Sequence, residues 1–204
     1  MKHLLILLAL VSTASAAPVA LFDGKTFDGW EGDTQKTWRV DNGEIAAGAP
    51  DKTQPHNDFL ATTREFGNFD LRLKIKLIGS EGFVNSGVQF WSQRVPNNFE
   101  MKGYQADFGE KYYGALYDES RRNKILAEPS KETAEKAVKR NEWNDYRIRA
   151  EGPHIQLWLN GVQTVDYTEA EKDIPQKGFI GLQIHGGAKT EVRFKDITIE
   201  ELPN

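Results

Sequence analysis

Gly178 to His185 reads GFIGLQIH, and this short run presents two faces at once. On a strand, Ile180, Leu182 and Ile184 point one way while Phe179, Gly181, Gln183 and His185 point the other. A purely structural strand puts solvating charges on its second face. This one carries an aromatic ring, a glycine, an amide and an imidazole, which suits a surface that another molecule approaches closely. An ordinary strand ending in a surface histidine would fit the same residues, so a chemical role requires other strands to repeat the pattern.

Other strands do repeat it. In Val84 to Trp91, Val88 and Phe90 share one face, and Asn85, Gly87, Gln89 and Trp91 share the other. Gly103 to Phe108 places Gln105 and Asp107 together, and Gly114 to Asp118 contributes Tyr117 beside Ala115. If Asn85, Gln89, Trp91, Gln105, Asp107, Tyr117, Gln183 and His185 lie on the outer face of one curved sheet, they form a single polar and aromatic groove. Such a groove suits a small carbohydrate: amides and carboxylates bond hydroxyls in pairs, and an aromatic ring meets the C–H face of a pyranose. If the strands divide between two sheets, these residues never meet.

Other chemistries find less support. The chain has no cysteine nucleophile, no Gly-x-Ser-x-Gly elbow and no glycine-rich phosphate loop. His56, His154 and His185 are not spaced as zinc ligands, and the first two read as loop and turn residues. A hard divalent cation held by Asp23, Asp28 or Asp41 stays open, although each of these also fits a turn former. A glycosidase-type carboxylate pair could be drawn from Glu100, Asp107, Glu110 and Asp118, and spacing alone does not choose among them.

The elements that must position these residues are strands. Phe69, Leu71, Leu73, Ile75 and Leu77 alternate with Asp70, Arg72, Lys74 and Lys76, the clearest half-buried strand in the chain. Asp41-Asn42-Gly43 and Asn160-Gly161 are hairpin turns, and Gly48 to Asp58, with two prolines, reads as a loop. Glu119 to Arg140 breaks the β pattern; it predicts a crossing connection or lid with a short helix starting near Ser130. About a dozen short strands with almost no helix predict an all-β fold, an antiparallel two-sheet β-sandwich of jelly-roll type.

Composition narrows the setting. Met1 to Ala17 has a basic start, an apolar run from Leu4 to Val11 and a small-x-small site at Ala14-Ser15-Ala16, the pattern of a signal peptide cut near Ala16 or Ala17. Residues 18–204 then form one domain, exported to the periplasm or the medium. The absence of cysteine means that no disulfide staples the fold. A net charge of −4 with mixed signs argues against a nucleic-acid partner, and nothing after the leader resembles a membrane span.

LFDGKTFDGW, FGNFDLRLKIKL, NSGVQFWS, GYQADFG followed by YYGALYD, EWNDYRIRAEG with IQLWLNG, and GFIGLQIHGG ending in VRFKDITIEEL run in this order along the chain. Together they resemble the secreted 3-keto-disaccharide hydrolase family, with Tyr104 standing where that family often carries an acidic residue. The resemblance implies a concanavalin-like jelly roll acting on glycosides whose carbon 3 has been oxidised to a ketone by a partner sugar dehydrogenase. A ketone at carbon 3 acidifies the carbon 2 proton, so a base can remove it, the glycosidic oxygen can leave carbon 1, and water can add back. In this scheme His185 is the base, Asp107 orients it or acts as acid, and Tyr117, Arg121 or Lys124 steadies the enolate. Asn85, Gln89, Trp91, Gln105 and Gln183 hold the sugar. A binding module without catalysis would use the same groove, and an adhesion sandwich would instead expose Glu119 to Arg140.

Overall fold

In the computed structural model, which describes residues 17–203, the chain forms two antiparallel sheets packed face to face. The predicted signal segment lies outside the described residues except for Ala17. In chain order, one sheet holds β1 (Val19–Ala20), β3 (Trp38–Asp41), β4 (Glu44–Thr53), β6 (Phe69–Glu81), β11 (Asn144–Glu151), β12 (His154–Leu159), β13 (Val162–Thr168) and β15 (Lys189–Glu201). The other holds β2 (Trp30–Glu31), β5 (Asp58–Thr62), β7 (Asn85–Arg94), β8 (Met101–Gly109), β9 (Leu116–Glu119), β10 (Lys124–Ala127) and β14 (Phe179–Ile184). The two-sheet sandwich expected from the strand pattern is the fold observed.

Alternation determines what enters the core. Phe69, Leu71, Leu73, Ile75 and Leu77 of β6 are all buried, and across from them lie Ile180, Leu182 and Ile184 of β14 with Val88 and Phe90 of β7. Burying such side chains contributes about 1.5–3 kcal/mol each, which directs the opposite face of each strand outward. The strand order β10-β9-β8-β7-β14-β5-β2 makes β14, β7, β8 and β9 consecutive neighbours. Their second faces therefore form one continuous surface, turned away from the sandwich interior.

Two segments differ from expectation. The stretch read as a loop from Gly48 is strand to Thr53, because β4 keeps pairing with β15 across a register shift opposite Lys189 and Glu191. The Glu119 to Arg140 connection contains β10 and a helix, α1 (Lys131–Ala137), capped by Ser130, whose hydroxyl accepts from the Thr133 N–H at 3.1 Å. Ala137 of α1 is buried, and its carbonyl accepts from Asn160 Nδ2 at 2.7 Å. Both α1 and β10 of this connection pack against β13. Among the described residues no helix is long and apolar enough to cross a membrane.

Candidate active site

The outer surface of the seven-stranded sheet contains a pocket of about 210 Å³, lined by Asn57, Phe83, Asn85, Gln105, Asp107, Tyr112, Tyr117, Glu119 and His185. Strand geometry explains the grouping. Gly87 faces Asp107 and Gln183 across its two ladders, and Gln105 faces both Gln89 and Tyr117. Gly87 has no side chain, so Gln105 can lie across it; a Cβ there would stand 2.9 Å from Gln105 Cγ. Gln105 Nε2 then donates to Gln183 Oε1 at 3.1 Å, and Gln89 Nε2 donates to Gln105 Oε1 at 3.1 Å. This row of amides forms a rigid polar floor, with Gln89 and Gln183 fully buried beneath it.

His185 follows directly on β14. Its Nδ1 lies 2.7 Å from the Gly186 carbonyl oxygen. A carbonyl only accepts, so Nδ1 carries a proton, and in the neutral ring it is Nε2 that keeps its lone pair. The ring stands edge-on to Phe83 with centroids 4.8 Å apart, and Phe83 in turn meets Tyr112 at 5.8 Å. Aromatic side chains thus form the wall beside the imidazole.

Asp107 is the buried acid of the pocket. Burial raises its pKa from 3.8 to about 7; Asn85 Nδ2, donating to Oδ1 at 2.8 Å, opposes the shift, and the nearby Glu119 carboxylate adds to it. From the core side, the Tyr146 hydroxyl donates to the Asp107 carbonyl at 2.9 Å and fixes the backbone. Asn85 connects the two titratable groups, since its side chain bonds Asp107 while its carbonyl accepts the His185 N–H at 3.3 Å. Burial also raises the Glu119 carboxyl, with Glu100 adding to the effect, and burial raises the Tyr117 phenol. The pocket therefore combines an imidazole whose neutral form has Nε2 as acceptor, a carboxyl raised to about 7 and several hydroxyl-bonding groups.

The profile of the 3-keto-alpha-glucoside-1,2-lyase-like domain family matches residues 17–200. The chain belongs to this family. Membership gives it a carbohydrate-related function. No curated protein matches the chain in sequence. Among solved structures, a provisionally assigned glycosyl hydrolase of Parabacteroides distasonis is 22% identical and superposes with a TM-score of 0.67, covering 91% of this chain and 94% of its own. The carbohydrate-binding module CBM66 of Bacillus subtilis is 16% identical at a TM-score of 0.65, covering 85% and 96%. A Bacillus subtilis protein of unknown function with a galectin-like fold is 10% identical at 0.64, covering 92% and 96%. At these identities the likenesses establish the fold.

Of the ten site residues expected from sequence, Asn85, Gln105, Asp107, Tyr117 and His185 line the pocket, and Gln89 and Gln183 lie in its floor. The other three lie elsewhere. Trp91 adopts φ 47°, and the pairing of β7 with β8 shifts between Phe90 and Gln93. This bulge turns the indole into the core, where it packs on Phe69 and Tyr104 and donates to the Gly67 carbonyl at 2.7 Å. Arg121 and Lys124 follow the face of Asp118, which points away from Tyr117. Arg121 Nε donates to Asp118 at 2.7 Å and its guanidinium lies 4.5 Å over the Tyr104 ring, while Lys124 pairs opposite Asp118 and is exposed. Tyr104, the departure from the family pattern, faces the core and donates to Glu169 at 2.6 Å.

Four lining residues were absent from the sequence reading of the site. Glu119 has a legible signal, since it follows Tyr117 by two on the same strand, which runs one residue beyond Asp118. Asn57 lies in a segment read as loop, and Phe83 and Tyr112 lie in turns without periodicity. Among the described residues, no group of three or more His, Asp or Glu side chains is arranged to hold a metal ion. Asp23 caps its own turn through the Lys25 and Thr26 N–H groups at 2.7 and 2.8 Å, and Asp41 pairs with Arg193 at 2.8 Å.

Proposed function

We propose that the protein cleaves 3-keto-glycosides by elimination across carbons 1 and 2 followed by hydration. The observation that carries this reading is one pocket holding an imidazole with a bare Nε2 beside a buried carboxyl that keeps its proton to about pH 7. Its volume of about 210 Å³ lies below the roughly 300–1,000 Å³ of drug-sized sites and suits a single sugar ring. His185 Nε2 takes the carbon 2 proton, and the negative charge moves to the carbon 3 oxygen, where the Tyr117 hydroxyl donates to it. The electron pair returns to form the C1=C2 bond as the C1–O bond breaks. Asp107 gives its proton to the departing oxygen.

Water then adds across that double bond. Asp107, now ionised, takes a proton from the water as its oxygen bonds carbon 1, and protonated His185 returns a proton to carbon 2. Both groups regain their starting states, and the net change is hydrolysis. Gln105 and Asn85 supply hydrogen bonds that hold the ring. The substrate's ketone requires an oxidation step upstream, supplied by a sugar dehydrogenase, and the N-terminal leader pattern supports export of this protein.

Turnover of a 3-keto-glucoside in D₂O tests the route. Deuterium is expected at carbon 2 of the product, and His185→Gln is expected to abolish both turnover and label while leaving the melting temperature close to that of the parent. Product without label at carbon 2, or full activity in His185→Gln, would remove this mechanism. Sugar binding with no product would identify a carbohydrate-binding module instead.

A further inference from the structure

The His185 side chain has its proton placed by the peptide unit that follows it, and that unit is held from outside β14. The peptide joining Gly186 to Gly187 accepts from His185 Nδ1 at 2.7 Å through its carbonyl and donates through the Gly187 N–H to the Gln54 carbonyl at 2.7 Å. The preceding peptide donates through the Gly186 N–H to Asn57 Oδ1 at 2.9 Å. Asn57 Nδ2 donates to Glu100 Oε1 at 2.8 Å. A carboxylate only accepts, so this bond fixes the Asn57 amide with its oxygen toward Gly186.

Two further contacts complete the clamp. Gln54 Nε2 donates to the His56 carbonyl at 2.9 Å, and the His56 ring stacks on Phe99 with centroids 3.6 Å apart. Gly186 sits directly on this segment: a Cβ there would lie 2.6 Å from His56 Cα, so no other residue fits without displacing the backbone. Gly187 adopts φ +83°. With glycine on both sides, the intervening peptide can turn over at little steric cost. Turned over, it would present an N–H to Nδ1, which would then become the acceptor, and the ring proton would move to Nε2.

We propose that the Gly186–Gly187 peptide sets the tautomer of His185, and that Asn57, held by Glu100, is the positioning residue that anchors the adjoining His185–Gly186 peptide and so keeps the next one in its base-competent orientation against the Gln54 carbonyl. That His185 acts as the base rests on the function proposed above; its tautomer does not. The test is the ¹⁵N spectrum of the histidine ring nitrogens at a pH where the ring is neutral, recorded without substrate on the whole protein. Wild-type His185 is expected with a protonated Nδ1 and a bare Nε2. Asn57→Ala is expected to shift the population toward the Nε2–H form and, with a 3-keto-glucoside, to lower kcat by about 10²-fold, the low end of what a positioned general base contributes, with KM changed less. Glu100→Gln, which keeps an oxygen for the Asn57 Nδ2–H, is expected to retain the wild-type tautomer. A proton on Nε2 in the wild type, or an unchanged tautomer in folded Asn57→Ala, overturns the proposal. If Asn57→Ala does not fold, the wild-type and Glu100→Gln spectra decide it. Inactivity toward keto-sugars with the expected spectra would overturn the function alone.

Discussion

Asp107 carries the strongest pH dependence at the scale of single residues. Its folded pKa of about 7 lies above the ordinary 3.8, so folding favours the protonated form. The sign follows by linkage: the contribution to stability is fully present below the ordinary carboxylate pKa and is lost as pH rises toward and through about 7. Asp107→Asn removes that dependence while keeping an oxygen for Asn85. It should match the parent at pH 4 and exceed it at pH 8, by up to about 4 kcal/mol, as read by denaturant melts at the two pH values. The same substitution removes the proton donor for the leaving group, so kcat should fall even as stability rises. Asn85 and Asp107 both occupy outward-facing alternating positions on their strands, and that is why they are legible together. The clamp on His185 was not, because Asn57 and Glu100 lie far from it in the chain and have no periodic relation to it.

At the scale of the element, the bulge in β7 divides what periodicity can and cannot reveal. Asn85, Gly87 and Gln89 follow a period of two and point outward as alternation requires. Trp91 continues that count, yet one residue of positive φ sends it to the opposite face. Alternation has no means to register an inserted residue, so Trp91 was assigned to the sugar and belongs to the core. Trp91→Ala should therefore cost about 3–5 kcal/mol in unfolding free energy, the range for truncating a buried aromatic, while KM stays near the parent value. A large rise in KM at unchanged stability would return the indole to the site. The turn after β9 misleads in a similar way: Arg121 and Lys124 are near Tyr117 in sequence, but they follow Asp118 to the other face.

The whole molecule uses its two outer faces differently. On the eight-stranded sheet the outward charges pair with one another: Arg147 Nε donates to Asp70 at 3.0 Å, and Arg193 reaches Asp41, Glu44 and Glu191 at 2.8, 2.9 and 2.6 Å. That face is neutralised and solvated. On the seven-stranded sheet the outward residues are amides, a buried carboxyl and an imidazole, and Phe59, Ala61 and Met101 close one end of the surface. The sandwich is legible from strand patterns, and so is the outer face on which Asn85, Gln105, Asp107, Tyr117 and His185 gather. The expected polar and aromatic groove is a pocket of about 210 Å³, to which Asn57, Phe83 and Tyr112 contribute from outside the strands, where no periodic pattern reveals them.

The central claim is cleavage that depends on a ketone at carbon 3, and one comparison tests it most directly. Purified protein is incubated with a 3-keto-glucoside and, separately, with its unoxidised parent, and release of the aglycone is followed. The account predicts release from the keto form alone, because only that form has a carbon 2 proton that His185 can remove. Equal release from both forms, or binding of the keto form with no release, would contradict it.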